Sequence, residues 1–230
     1  IRVFKSILRA LFGYSSIGES KNLRKLIEKT FTEKDYKNIL QQKKTLFCVT
    51  TNLNTSKKFI KSTNSSSYTD MLDWIWASAS VPVLMKPVQK DGQSWADGGL
   101  TDNVPIEGAL VNSSKIIDVI VLFPQEPTLW KSSKKLTNIA GRTFNIILNT
   151  SSKDDIIIGE LLAELAEGTE LNIYYMPEED ANFLSNIFSF DNKFLSKGFS
   201  RGYKSYKNTT MLKRTYIMGN DAEFYKKTKN

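Results

Sequence analysis

The chain has 230 residues, 40% of them hydrophobic, with a formal net charge of +8 and no histidine. That length and apolar content support a real core in one large domain or two small ones, and the basic balance favours an anionic surface or partner. The absence of histidine excludes a Ser-His-Asp triad built from this chain, so any base must be a carboxylate, an amine or a phenolate. The lone cysteine, Cys48, excludes an internal disulfide and suggests a reducing compartment. Its place in Leu46-Phe47-Cys48-Val49 is that of a core thiol. No apolar stretch approaches the ~20 residues of a membrane span.

In chain order, residues 3–12 repeat apolar side chains at helical spacing and end at Gly13. Ser20 is placed to cap a second helix with Leu23, Leu26, Ile27 and Phe31 on one face and Lys21, Arg24, Lys25 and Lys29 on the others. Thr45 to Thr51 reads as a strand. Asn52 to Ser56 is a turn and Lys58 to Lys61 returns as a second strand, giving a hairpin. After the loop 64–67, Thr69 or Asp70 can cap a short helix through Trp76 that ends before Pro82. Gln93 to Ala96 is short and strand-like.

The segment Trp95-Ala96-Asp97-Gly98-Gly99-Leu100-Thr101-Asp102-Asn103-Val104-Pro105 follows. A carboxylate at a strand end is succeeded by two glycines, which permit a tight turn or a close backbone approach. Asp97 is thereby a candidate base, and Asp102 reads as a turn stabiliser acting through its own backbone rather than as a metal ligand. No carboxylate or cysteine cluster has metal-ligand spacing, so neither a metal nor a cofactor is expected.

Pro105 opens a helix over Ile106 to Leu110. Ile116 to Phe123 is a dense Ile/Val run, predicted as a strand buried on both faces of a parallel sheet. Asp155 to Leu165 reads as a helix and Leu171 to Met176 as a strand. Ser200 to Asn208 and Ala222 to Lys227 read as helices. Strands and helices alternate, which implies a layered α/β fold. With no repeat or clear linker, 1–230 is expected to be a single domain. Acidic residues gather between Asp154 and Asp180, whereas lysine and arginine dominate the first 61 residues, 193–207 and 226–229.

Ala77-Ser78-Ala79-Ser80-Val81-Pro82, followed by Asp97-Gly98-Gly99 and Asp102-Asn103-Val104-Pro105, resembles the patatin-like phospholipase family in order and approximate spacing. Asn22 to Ile27, Thr50 to Lys57, Ser189-Phe190-Asp191 and Gly198 to Tyr203 extend the resemblance over nearly the whole chain. It implies a three-layer α/β/α fold with a mainly parallel central sheet. It also implies a lipid acyl hydrolase, phospholipase A-like, working through a Ser-Asp dyad. On that pattern Asp97 is the catalytic base, and Gly98, Gly99, Asn103 and Pro105 shape the site. The substrate is membrane phospholipid, met by a cytoplasmic protein peripherally bound to an anionic membrane surface, and no nucleic acid is expected because no nucleic-acid-binding signature appears.

The family's Gly-x-Ser-x-Gly elbow does not precede Asp97. Gly13-Tyr14-Ser15-Ser16-Ile17 lacks the last glycine, Gly198-Phe199-Ser200-Arg201-Gly202 lacks a preceding buried strand, and Ser94 would share a strand with Asp97. Ser78 and Ser80 read as helix-end residues, and Trp74, Trp76 and Trp95 as core. The chain begins at Ile1, so the expectation is the C-terminal portion of an enzyme whose N-terminal part, or a second chain, supplies the serine. The alternative is a catalytically inactive basic module that binds anionic lipid or a partner.

Overall fold

The computed structural model describes residues 21–82, 84–123, 125, 136–166, 169–175, 196–203 and 212–216. The chain divides into two compact units, Ile1–Pro105 and Ile106–Asn230, each described by itself below. The expected helices at 3–12 and 222–227, and the proposed cap Ser20, lie outside the described residues.

In the first unit, helix α1 (Lys21–Thr30) buries Ile27 and half-buries Leu23, while Leu26 is left exposed. Arg24 departs from the expected solvated face: its guanidinium grips Asp73 of a later helix at 3.0 Å and Glu28 at 2.8 Å. Helix α2 (Glu33–Gln41) was not expected. Its start is a capping box, in which the Asp35 N–H donates to Thr32 Oγ1 and the Thr32 N–H donates to the Asp35 carboxylate at 2.9 Å.

Strands β1 (Phe47–Asn52) and β2 (Lys57–Ser62) form the expected antiparallel hairpin, from Phe47 opposite Ser62 to Asn52 opposite Lys57. Asn52 closes its turn, its Oδ1 accepting from the Asn54 and Thr55 N–H groups at 2.9 and 3.0 Å.

Helix α3 (Tyr68–Ser78) starts two or three residues earlier than the expected caps, Thr69 or Asp70, imply. Ser67 is the N-cap: its Oγ accepts from the Asp70 N–H and donates to Asp70 Oδ2 at 2.7 Å, so Asp70 is the third helical residue. Strands β3 (Val88–Lys90) and β4 (Gln93–Asp97) make a second hairpin. Asp91 and Gly92 turn it with φ of 54° and 71°, the two positive values a type I′ turn requires. The sheet order is β2-β1-β4-β3.

Helix α3 lays Trp74 and Ala77 on this sheet against Val88 and Trp95, with Cys48 and Trp76 at the margin. Trp74 and Phe59 both meet Trp95 edge-on, with ring centroids 5.0 and 5.1 Å away. Edge-to-face packing is the geometry that ring quadrupoles favour. Trp74 and Trp95 are therefore core, and Trp76 is half-buried.

In the second unit, helix α4 (Glu107–Val111) is followed by β5 (Ile116–Val121), the long helix α5 (Leu136–Leu165) and β6 (Thr169–Tyr175). A short helix, α6, covers 196–203 and β7 (Leu212–Tyr216) follows. β5 and β6 pair in parallel and β6 pairs antiparallel with β7. A parallel pair needs a crossover, and α5 lies between the two strands in the chain. Helix α5 extends well upstream of the expected 155–165, and β7 was not expected.

Two expectations are corrected. The described sheets are not mainly parallel: the four-stranded sheet is antiparallel at every pairing, because hairpin turns join β1 to β2 and β3 to β4, and the three-stranded sheet is mixed. The Ile/Val run is not buried on both faces: Ile117, Val119 and Val121 are buried, whereas Ile116 and Ile120 are 65% and 76% exposed. β5 ends the strand order β5-β6-β7. Its outward row carries Asp118, which accepts from Asn172 Nδ2 at 3.0 Å, so that row is not a uniformly apolar surface to be covered.

Candidate active site

Asp97 is the last residue of β4, where the strand gives way to a 3₁₀ turn, Gly98–Leu100. Its backbone is fixed on two sides. The Asp97 N–H donates to the Ser80 carbonyl at 3.0 Å, which ties it to the end of α3. Thr51 Oγ1 on β1 donates to the Asp97 carbonyl at 2.9 Å and lies 2.9 Å from Thr101 Oγ1. The side chain is held at one oxygen only: Oδ1 accepts from the Gly99 N–H at 2.8 Å. Oδ2 makes no hydrogen bond among the described residues. Burial pushes the Asp97 carboxyl above its ordinary value, and the single Gly99 N–H, which acts the other way, does not offset it. The result is a desolvated carboxylate, more basic than usual and open at one oxygen.

The two glycines have distinct reasons to be there. A Cβ on Gly98 would lie 2.7 Å from the Val49 carbonyl carbon and 2.8 Å from Val49 Cβ, so the turn crosses the β1 backbone where no side chain fits. A Cβ on Gly99 would lie 2.6 Å from Asn103 Oδ1 and 3.1 Å from Asp97 Oδ1. Gly99 thus lets the Asn103 side chain sit beside the loop that carries the carboxylate. Pro105 is exposed at the end of the segment.

Asp102 does more than the sequence suggests. Its N–H donates to the Gly98 carbonyl at 2.9 Å, as a turn residue should, but its carboxylate is 6% exposed and pairs with Lys58 Nζ at 3.1 Å. Nothing in the sequence links Lys58 to Asp102, 44 positions later. Thr51 was equally invisible as a support of Asp97, because only the register Thr50–Asp97 and Thr51–Ala96 between β1 and β4 brings it there.

None of the candidate serines in the described residues bonds the Asp97 carboxylate. Ser80 is fully buried and donates to the Trp76 carbonyl at 2.7 Å. Ser78 ends α3, and Ser94 bonds Gln89 at 2.9 Å on β4. Ser200 and both glycines flanking it lie within α6, so the motif match at 198–202 is not the strand-to-helix turn an elbow requires. Ser15 lies outside the described residues. Among those residues no group of three or more acidic or cysteine side chains is placed to hold a metal, and no helix is long and apolar enough to cross a membrane.

A family model described as patatin-like phospholipase matches residues 1–110. The matched segment takes in the hairpins, α3, Asp97 and the whole turn to Pro105, and the similarity points to lipid hydrolase chemistry in general. No curated protein matches the chain.

Proposed function

We propose that the chain carries the base of a phospholipase A-like lipid acyl hydrolase. In this reading Asp97 works with a serine supplied by an upstream segment, within a three-layer α/β/α arrangement that the segment completes. The serine Oγ attacks the ester carbonyl while its proton passes to Asp97 Oδ2. The same carboxyl then protonates the leaving alkoxide; on the return half-reaction it takes a proton from the attacking water and passes it to the serine Oγ as the fatty acid departs, restoring serine and carboxylate. The enzyme works peripherally at the cytoplasmic face of a membrane, drawn there by its positive charge.

The observation that carries this reading is the state of Asp97: desolvated, with a raised pKa, anchored at Oδ1 by the Gly99 N–H and open at Oδ2. A base is most effective when its pKa approaches the working pH, and burial moves this carboxylate in that direction. Gly98, Gly99 and Asn103 hold the loop in the shape that presents it, with Pro105 ending the segment.

The test is Asp97→Asn in the full-length protein. The substitution keeps size and the Gly99 contact but removes the base. Turnover of a fluorogenic acyl ester should fall on the order of 10²–10⁴-fold, while a fluorophosphonate probe maps the serine on the wild type. Retained turnover in a folded variant removes Asp97 from the mechanism. A wild-type protein that neither turns over ester nor labels with the probe, yet binds anionic vesicles, is a binding module.

A further inference from the structure

We propose that strand β2 and the β1–β2 turn form the edge by which this protein docks on an anionic phospholipid bilayer. The inference rests on the lipid-hydrolase reading for its purpose but not for its observations. From Asp35 to Asp70 the intervening chain holds six lysines and no acidic side chain. Those lysines are Lys37, Lys43, Lys44, Lys57, Lys58 and Lys61. Lys37 pairs with Glu33 and Lys58 with Asp102, and Lys61 lies over the Trp74 ring at 4.4 Å. Lys43, Lys44 and Lys57 are exposed and form no ion pair among the described residues.

On β2 itself Lys57, Lys58 and Lys61 flank the apolar Phe59 and Ile60. β2 ends the strand order of its sheet. Leu53 at the turn is 40% exposed, and Phe59 and Ile60 on β2 are 36% and 38% exposed. An exposed edge strand that sets the unpaired Lys57 beside bulky apolar side chains fits a bilayer interface, where apolar groups enter the headgroup boundary and ammonium groups meet lipid phosphates. Lysine on an edge also discourages pairing with another strand, which argues against a second copy of the chain as the occupant.

The sheet register connects this edge to the candidate base. Phe59 on β2, Thr50 on β1 and Asp97 on β4 form one cross-strand row. Two strand spacings separate Asp97 from the edge, roughly 10 Å. A bilayer resting on β2 therefore lies two strands from the candidate base.

The test compares two variants of equal net charge in the full-length protein, Lys57→Glu on the proposed edge and Lys25→Glu on the exposed side of α1, with Leu53→Ser as the apolar counterpart. Binding is read by sedimentation with vesicles of 30% phosphatidylglycerol in phosphatidylcholine and with phosphatidylcholine alone. Lys57→Glu should weaken binding to anionic vesicles roughly tenfold or more, since one attraction becomes a repulsion. Lys25→Glu should change it less than about threefold, and Leu53→Ser should weaken it with unchanged salt dependence. Turnover of a soluble short-chain ester should not change in any of the three. Equal losses for Lys57→Glu and Lys25→Glu would show that net charge alone drives binding and would overturn the proposal. So would a concentration-dependent dimer that Lys57→Glu abolishes while vesicle binding stays intact. Because binding is read without catalysis, an inactive enzyme leaves the result interpretable.

Discussion

Gly98→Ala is the sharpest perturbation this site offers, because its consequence follows from backbone geometry alone. The added methyl would be placed 2.7 Å from the Val49 carbonyl carbon and 2.8 Å from Val49 Cβ. Ordinary carbon contacts need about 3.5 Å or more, so two backbones must separate by several tenths of an ångström. Neither is free to do so. β1 is paired on one side with β2 and on the other with β4, and Gly98 directly follows Asp97, whose N–H and carbonyl are both hydrogen-bonded. Overpacking a well-filled interior costs typically about 1–3 kcal/mol. A clash against fixed main chain belongs at the upper end, which for a unit of this size means a fall in Tm of about 12–24 °C. Thermal denaturation followed by circular dichroism measures it. Gly108→Ala is the internal control, since a Cβ there meets nothing within 4 Å and alanine is the better helix former. A Gly98→Ala protein that melts within about 2 °C of the wild type would refute the claim that the turn crosses β1 in contact.

Cys48 should behave as an inert thiol. Burial pushes it up to about 12 against the opposing pull of Lys61, so its thiolate fraction at pH 8 is on the order of 10³ below that of a free cysteine. Labelling by a maleimide should be at least 10²-fold slower in the folded chain than in urea, and folded-state labelling within tenfold of the unfolded rate would contradict this. Asp97→Asn should leave the fold at least as stable as the wild type at neutral pH. The folded pKa of Asp97 is raised above its unfolded value near 3.9. The carboxyl's contribution to stability is therefore fully present below about pH 4 and is lost as pH rises through the folded pKa. Asparagine does not ionise, so the variant's advantage should grow from about pH 4 upward; a variant markedly less stable at pH 7 would mean the charged form is stabilised by a contact.

Much of the first unit was legible because its signals are local. The β1–β2 hairpin follows from two short strand-like runs around Asn52 to Ser56. Capping by Ser67 and by Thr32 uses the same Ser/Thr-x-x-Asp spacing, and the Asp91-Gly92 turn is a two-residue hairpin signal. These last three signals are local but faint, since α2, β3 and the first turn of α3 are short and their apolar patterns weak. The Ile116–Val121 strand was legible as a strand but not in its burial. Unbroken apolar runs usually mean cover on both faces, but a single Asp118 changes one of them into a row that needs hydrogen bonds, and a one-dimensional pattern does not show that the strand ends its sheet.

The site divides along the same line. The Asp-Gly-Gly turn identified Asp97 because a tight turn after a strand leaves a signature in three adjacent residues. What holds that carboxylate lies far away in sequence: the Ser80 carbonyl accepts from its N–H, Thr51 donates to its carbonyl, and burial in the folded unit raises its pKa. Thr50 opposite Asp97 is a pairing across 47 positions, fixed by long-range sheet formation rather than by any local motif. The same register sets the distance from Asp97 to the lysine-bearing edge of β2. One strand pairing therefore both supports the candidate base and sets its depth below the surface proposed to meet the lipid. A one-residue slip of the β1–β2 hairpin against β4 would turn every hairpin side chain to the other face, removing Thr51 from the Asp97 carbonyl and Phe59 from its row together.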